Sequence, residues 1–473
     1  MWLRELHMYG YRVNQELYPW EPVSLGVIAE PISLCSIISR TLETKVSLGL
    51  RLLAKLPASA LDPEQLMNSI EEWVRQKYSG MSPRTRQAVV ESSPTVFCLF
   101  HPAAEEVELT LIKTEYLVVS ANTATVGPGY HVFLTSMLQD WAQDFHASWE
   151  RPEESSEDYG DETDYFFSGD EGRLVENVAC WLQAVANTFV DGSLEEADRG
   201  IALCMPMDPQ FEADEIAITP LGPRGRDWLY ETAQEGSKGK DFFAWWTPGF
   251  NAEYYLGRAL TQMWSNVRWR LPVNDSERNV LKDVADSLRS AYQLNPTLPY
   301  PWAEWEEILE LLGADDSEKE LVRPKVKGEP TIGYRRKRVT VALPGGWRMR
   351  IPGSFSDFES DLDNDQCALD PPREIWFTRY RSTASSPREA FESMRKEMRE
   401  DSAEYFFERD DYIAKAKISK KRRDTGEDYF VLNSSNACLG KRAACTILFS
   451  QAEQKEWALE IWRSIQPPAI SEI

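Results

Sequence analysis

The clearest hydrophobic pattern in the chain lies between Thr95 and Trp149, and it predicts strands followed by a helix. Apolar and polar residues alternate from Glu106 to Leu111, which is the period of a half-buried strand. A helix is then predicted by apolar positions three and four residues apart, at Tyr130, Leu134, Met137, Trp141 and Phe145. Between them, Gly127-Pro128-Gly129 predicts a sharp turn, because glycine adopts positive φ without strain. With a further helix start at Asp62-Pro63, residues 1–149 are expected to form an N-terminal α+β domain.

The pattern becomes mainly helical in residues 173–313. One apolar stripe has helical spacing, at Leu174, Val178, Trp181, Val185 and Phe189. Further helices are predicted after the aromatic segment 242–250, and the last of them is opened by Pro301 and closed by Gly313. We therefore expect a helical, tryptophan-rich middle region.

Residues 314–330 are charged and lack periodicity, so they are predicted to be a linker. The last domain, residues 331–473, opens with an alternating strand at Val339 to Leu343 and a turn at Pro344-Gly345-Gly346. Capping boxes beginning at Ser386 and Ser450 predict two helices among further strands. The expected fold class is therefore multi-domain α+β, with a C-terminal antiparallel sheet and packed helices.

A short motif in this last domain carries a family resemblance. Gly346-Trp347 is followed by Ile351-Pro352, and the closing helix reads Trp457-Ala458-Leu459-Glu460-Ile461-Trp462-Arg463-Ser464-Ile465. In its order of strand, motif, helix, meander and closing helix, the domain resembles the PsbP/Mog1/DcrB-type α/β sandwich. The resemblance implies a non-enzymatic binding or chaperone-like domain, and it assigns no functional residues.

Composition and charge narrow the class of protein. Hydrophobic residues make up 42% of the chain, which excludes global disorder. The 52 basic and 76 acidic residues give a formal charge of −24, which argues against nucleic acid and anionic membranes as partners and favours a basic protein. The seven cysteines are scattered, and neither a signal peptide nor an 18-residue apolar run is evident, so a cytoplasmic location is expected.

His131 is the leading candidate for a catalytic residue. It falls in the first turn of the predicted helix, where free backbone amides and the helix dipole attract anions. An anion site would use the amides of Gly127 and Gly129, with Arg224 and Arg226 as further ligands and His131 as acid or base. The alternative is a tight turn whose histidine packs locally.

The acidic segment of residues 150–172 holds ten acidic residues against one arginine. Such a run is typical of a solvated loop, although its aromatic residues also allow it to dock on a basic partner. The candidate docking residues are Asp158, Tyr159, Asp161, Tyr165, Phe166 and Phe167. Trp245 and Trp246, in the aromatic segment, are predicted to be core residues or, if exposed, to bind the same partner.

The familiar catalytic motifs are missing from the sequence. No cysteine pair has zinc spacing, and His-Glu-x-x-His, Gly-x-Ser-x-Gly and P-loop motifs do not occur. We therefore expect neither a metal nor a cofactor.

Three hypotheses about function remain. The leading one is a non-catalytic cytosolic protein that binds a basic protein partner, as an immunity or defence-accessory factor would. The second is an enzyme of unrecognised class with its site at Gly127–Gly129 and His131. The third is a structural subunit of a larger assembly, which predicts broad exposed apolar surface on the tryptophan-rich helices. The sequence does not decide the oligomeric state.

Overall fold

The protein is a multi-domain α+β protein. Its computed structural model describes residues 48–57, 62–151, 159–192, 201–202, 210–212, 215–360, 366–382, 384, 386–395, 405–409 and 411–468. All of these lie in one compact unit, Ser33–Ile473. No helix in these ranges combines the length and the apolar character needed to cross a membrane.

The described strands and helices are numbered in chain order. The strands are β1 (Gly49–Lys55), β2 (Arg84–Val90), β3 (Ser93–Leu99), β4 (Val107–Ile112), β5 (Tyr116–Asn122), β6 (Ser148–Trp149), β7 (Gly160–Asp161), β8 (Ile201–Ala202), β9 (Gln210–Phe211), β10 (Ala217–Thr219), β11 (Gly222–Arg224), β12 (Arg338–Leu343), β13 (Trp347–Pro352), β14 (Glu359–Ser360), β15 (Gln366–Asp370), β16 (Arg373–Arg381), β17 (Tyr405–Arg409), β18 (Tyr412–Arg422), β19 (Asp428–Cys438) and β20 (Lys441–Phe449). The α-helices are α1 (Pro63–Lys77), α2 (Pro128–Asp144), α3 (Tyr165–Ser168), α4 (Glu171–Gly192), α5 (Arg226–Gln234), α6 (Ala252–Ser265), α7 (Asp275–Leu294), α8 (Trp302–Leu312), α9 (Asp316–Val322), α10 (Pro387–Arg395) and α11 (Lys455–Arg463). Short 3₁₀ helices are Ser79–Met81, Gly236–Phe242, Arg323–Lys325, Tyr334–Arg336 and Ala452–Gln454.

The N-terminal sheet has the strand order β2-β3-β4-β5-β1-β6, and β7 also pairs with β1. Neighbouring strands run antiparallel, with Leu52 of β1 opposite Val119 of β5, for example. The alternation predicted for β4 is confirmed, because every second side chain from Val107 is buried. These buried side chains share one core with the apolar faces of α1 and α2. One face of the sheet is therefore covered by the two helices.

Part of the aromatic segment belongs to this N-terminal core. Ala244 and Trp245 are members of the cluster formed by the sheet, α1 and α2. Helices α6, α7 and α8 pack together in a separate cluster that includes Val284 and Trp305. Gly257 of α6 lies against the backbone of Ala244, where a β-carbon would overlap the carbonyl oxygen. The aromatic segment thus lies between the N-terminal sheet and the helical region.

The C-terminal sheet has the order β14-β15-β16-β20-β19-β18-β17, and all its pairs are antiparallel. The hairpin β12–β13 and helix α11 pack on one face of this sheet. Helix α10 packs on the other face, where its Ala390 clusters with Ala437 of β19. Ala437 and its neighbour Cys438 point to opposite sides of β19, and Cys438 belongs to the core on the α11 side. The predicted antiparallel sheet with packed helices is confirmed.

Two arginines with little exposed side-chain surface join the helical region to the segments around both sheets. Arg258 of α6 donates to the carbonyl oxygens of Phe100 and Met81, both at 3.2 Å, and pairs with Asp283 of α7 at 2.9 Å. Arg270 donates to the carbonyl oxygens of Ser354 and Leu369, at 2.7 and 3.1 Å. Residues 314–330, predicted to be a linker, contain α9, whose Val322 is buried among α6, α7 and α8.

Candidate functional site

His131 lies in the first turn of α2, where the apolar pattern predicted it, and its side chain is only 1% exposed. Its Nδ1 is 2.9 Å from the Thr123 hydroxyl, and its Nε2 is 3.2 Å from Oδ2 of Asp161. Nε2 is also 3.2 Å from the Thr163 hydroxyl, and the imidazole ring meets the edge of Tyr165. The histidine is therefore enclosed by Thr123, the residue after β5, and by residues of the acidic segment.

The neighbours of His131 are themselves held within the protein. The Thr123 hydroxyl donates to the carbonyl oxygen of Leu48 at 2.7 Å, and the Thr163 hydroxyl donates to Oδ1 of Asp161 at 2.7 Å. Both ring nitrogens of His131 are therefore engaged by internal partners.

Asp161 is the centre of this network, and its side chain is fully buried. Besides His131, it accepts hydrogen bonds from the backbone amides of Thr163 and Phe166, at 2.8 and 2.7 Å. Burial works to raise the pKa of Asp161, but its hydrogen bonds and the charge of His131 outweigh burial, so the pKa lies below its ordinary value. Asp161 is thus a buried carboxylate that organises the start of α3.

The amides of the glycine turn are engaged within the protein, which departs from the predicted anion site. The amide of Gly129 donates to the carbonyl oxygen of Trp245 at 3.0 Å, and that of Trp245 donates to Val126 at 2.9 Å. A β-carbon at Gly129 would lie 2.7 Å from the indole nitrogen of Trp245. Gly127 has φ +112°, and a β-carbon there would lie 2.8 Å from the Trp245 carbonyl oxygen. The two glycines permit close packing on Trp245, and an anion would have to displace that residue.

Arg224 and Arg226 lie in a different part of the chain from the His131 network. Arg224 donates to carbonyl oxygens of its own loop and to that of Asp241, at 2.9 Å, and its Nε is 3.4 Å from the Asp241 carboxylate. Arg226 is the exposed first residue of α5. The hydrogen bonds of Arg224 hold its loop together, and they do not connect it to His131.

The described part of the acidic segment is folded against the N-terminal domain. Asp161 pairs with Leu50 as part of β7, and Phe166 is a member of the core beside Trp149. The ring of Phe167 packs on that of Phe166, and Tyr159 lies under the guanidinium of Arg51. Asp158 lies outside the described residues. Because Asp161 and Phe166 are buried, neither is accessible to a partner as an exposed docking residue.

Trp245 is buried, and it packs against the rings of Phe133, Phe250 and Tyr254. Trp246 is half-buried against Phe243, with ring centroids 5.5 Å apart. Trp245 therefore has the core role that its spacing allowed, and it is closed to a binding partner. The tryptophans of α8 also pack inward or on one another, including the stacked pair Trp302 and Trp305.

Strand β17 is marked in the sequence by a run of aromatic residues. Strand β17 places Phe406 and Phe407 at the edge of the C-terminal sheet, where they are 57% and 40% exposed. The signal is the run of three aromatic residues Tyr405-Phe406-Phe407. An alternating strand buries one face, so two consecutive exposed phenylalanines require both faces of the strand to be open.

Two cavities in the described part of the chain are small. One of about 10 Å³ lies beside Arg268 and Arg270, and one of about 80 Å³ lies beside Arg423 and Tyr429. Ligand pockets for small molecules usually measure roughly 300–1,000 Å³. Within the described residues, no group of three or more His, Cys, Asp or Glu side chains is arranged to hold a metal ion.

Comparisons with known proteins give little help with this site. No family model matches the chain, and no curated protein matches it. A crystal structure of a protein from Bacteroides thetaiotaomicron, at 1.50 Å resolution, is similar with 13% identity over 29% of this chain and a TM-score of 0.24. The match spans 50% of that protein's length.

Proposed function

We propose that this chain is a non-catalytic protein that binds a basic protein partner. The formal charge of −24 carries the proposal, because a field of that size attracts a basic protein at long range and repels an acidic one. In this proposal, the acidic surface speeds the first encounter with the partner, and added salt slows that encounter. Tight contact requires apolar surface as well, since charge complementarity contributes more to association rate than to affinity.

The geometry at His131 supports a structural role for that residue. Both of its ring nitrogens are hydrogen-bonded to internal partners, and the adjacent turn amide at Gly129 is bound to Trp245. General acid–base catalysis needs a group within reach of a substrate proton. An enzyme using His131 would first have to open this network, so the binding hypothesis is the better supported of the two.

The assembly hypothesis is less well supported, because the tryptophan-rich helices pack inward. Trp305 is 1% exposed, and Trp302 stacks on it with ring centroids 5.4 Å apart. Exposed large apolar side chains in the helical region are scattered single residues such as Leu271 and Leu294. Scattered residues of this kind are ordinary surface features.

The same proposal includes a cytoplasmic location and an immunity or defence-accessory role, in which the chain neutralises a basic protein. The free thiols of Cys98, Cys180 and Cys438 are consistent with a reducing compartment. The proposal also relates the C-terminal domain to the PsbP/Mog1/DcrB-type sandwich. It is supported by the antiparallel sheet with α11 packed on one face.

Affinity purification of the tagged full-length chain from its own cytosol tests the proposal. The expected result is one basic protein in stoichiometric amount, released by salt and rebinding 1:1 in calorimetry after purification. A control bait should carry Asp62→Asn, Glu64→Gln, Glu91→Gln and Glu115→Gln, which neutralise four exposed carboxylates. The control bait should associate more slowly. A chain that returns only a small molecule, or a partner bound independently of salt, would contradict the proposal.

A further inference from the structure

His101 is a buried histidine at the contact between the N-terminal sheet and helix α6. It lies in the turn that joins β3 to β4, and it is 1% exposed. Its imidazole ring packs against the ring of Trp245, with centroids 6.3 Å apart, and against the ring of Tyr254 in α6, at 6.1 Å. The histidine is therefore enclosed by residues that are distant from it in sequence.

A hydrogen bond within the turn fixes the protonation state of this ring. The backbone amide of Ala103 donates to Nδ1 of His101 at 3.1 Å. A backbone amide nitrogen is only a donor, so Nδ1 must present a lone pair, and the single ring proton of the neutral imidazole must be on Nε2. Within the described residues, Nε2 has no hydrogen-bond partner. A second proton could be added only at Nδ1, where it would displace the amide of Ala103.

The same turn is the place where α6 is fastened to the sheet. Arg258 of α6, whose side chain is 9% exposed, donates to the carbonyl oxygen of Phe100 at 3.2 Å. Phe100 is the residue before His101. The Thr125 hydroxyl donates to the carbonyl oxygen of Ala103 at 2.8 Å. Loss of the Ala103 amide bond would thus disturb a turn whose carbonyl oxygens hold Arg258 and Thr125.

The charges around His101 oppose a second proton. Arg258 is the cation that acts on the imidazole, and Asp283 of α7 is paired with that cation at 2.9 Å. The phenol of Tyr254 stays neutral at physiological pH, because burial raises its pKa to about 12. The nearest charged position along the chain is Glu105, four residues further on. Burial and the charge of Arg258 hold the pKa of His101 well below its ordinary value of 6.5.

We propose that His101 makes the contact between the N-terminal sheet and α6 an acid-sensitive switch, closed at neutral pH and increasingly open in weak acid. When the turn opens, water reaches Nδ1, and the imidazole takes a proton from solvent. The open form therefore binds more protons than the closed form. The closed form has its full stability above the ordinary histidine pKa of about 6.5, and it loses stability as the pH falls below that value.

Hydrogen exchange of the full-length chain at pH 7.5 and pH 5.5 tests the proposal. Each measured rate is compared with the intrinsic exchange rate at the same pH, so that the protection factor reports the opening equilibrium. The protection factors of residues 100–104 and 252–265 should fall about tenfold between the two pH values, as protonation of one ordinary histidine in the open form requires. Equal protection at both pH values in the wild-type chain would overturn the proposal.

His101→Asn separates titration from packing. The Oδ1 of asparagine can accept the amide two residues on, as Nδ1 does, and the amide side chain does not titrate. Protection in this variant should be the same at the two pH values. His146→Asn is the matched control, because His146 is exposed and its φ of 54° suits asparagine, and it should keep the tenfold fall. A fall that persists in His101→Asn, or that disappears in His146→Asn, would overturn the assignment to His101.

A proton NMR titration of the wild-type chain keeps the test decisive if His101→Asn fails to fold. The chain has four histidines, and the signal of His101 is identified by its nuclear Overhauser contacts with the rings of Trp245 and Tyr254. This signal should keep its neutral position down to pH 5.5. Titration of the same signal at the ordinary histidine pKa of about 6.5 in the folded chain would overturn the proposal.

Discussion

Replacing Asp161 by alanine removes the acceptor on which the His131 network depends. The carboxylate accepts from Nε2 of His131 at 3.2 Å, from the Thr163 amide at 2.8 Å and hydroxyl at 2.7 Å, and from the Phe166 amide at 2.7 Å. The Thr163 hydroxyl can rotate to another acceptor, but the amides and the imidazole cannot. Each buried donor left without an acceptor costs roughly 1–3 kcal/mol, so the loss of an acceptor shared by these three donors costs roughly 3 kcal/mol or more. We therefore expect Asp161→Ala to lower the free energy of unfolding by about that amount.

The assay is urea unfolding combined with hydrogen exchange of residues 160–169. In a multi-domain chain, local opening reports this segment more directly than a single global midpoint. Asp164→Asn is the matched control, since Asp164 lies in the same segment, is 49% exposed in its pair with Arg173, and has a positive φ of 62° that asparagine tolerates. Its expected effect is below about 1 kcal/mol. Equal effects of the two substitutions, both below 1 kcal/mol, would refute the structural role assigned to Asp161.

Acid denaturation, the glycine turn and Arg258 provide three further predictions. Folding lowers the pKa of Asp161, so its contribution to stability is complete above the ordinary aspartate pKa of about 3.9 and is lost as the pH falls through the lower folded pKa. In an acid denaturation series, the Asp161→Ala deficit should therefore shrink once the pH falls below about 3.9. Gly129→Ala forces a methyl group onto Trp245 and should cost about 1–3 kcal/mol in urea unfolding, whereas Gly80→Ala, with open space around it, should be neutral. Arg258→Ala leaves the carbonyl oxygens of Phe100 and Met81 without their donor and should cost about 2–3 kcal/mol in the same assay.

Local pattern predicted the regular elements well. The alternation around Leu109 gave β4, the spacing from Tyr130 gave α2, and Gly313 ends α8 with φ +65°. These predictions depend only on the periods of helix and strand and on the freedom of glycine to adopt positive φ. Local sequence contains that information in full.

The candidate site was harder to predict because its partners are distant in sequence. Asp161 lies 30 residues from His131, and an acidic run gives no sign that one of its carboxylates is buried. The aromatic segment likewise gave no sign that the Trp245 carbonyl would accept the amide of Gly129, 116 residues earlier. The place of β17 at the end of the described sheet depends on strand order, which periodicity does not determine.

The most direct test of a binding function is the association rate of the purified chain with its salt-eluted partner, measured by stopped flow between 50 and 500 mM NaCl. Electrostatic steering predicts an association rate constant that falls at least about tenfold over this range, while the dissociation rate constant changes little. An association rate constant independent of salt would contradict the role assigned to the charge of −24.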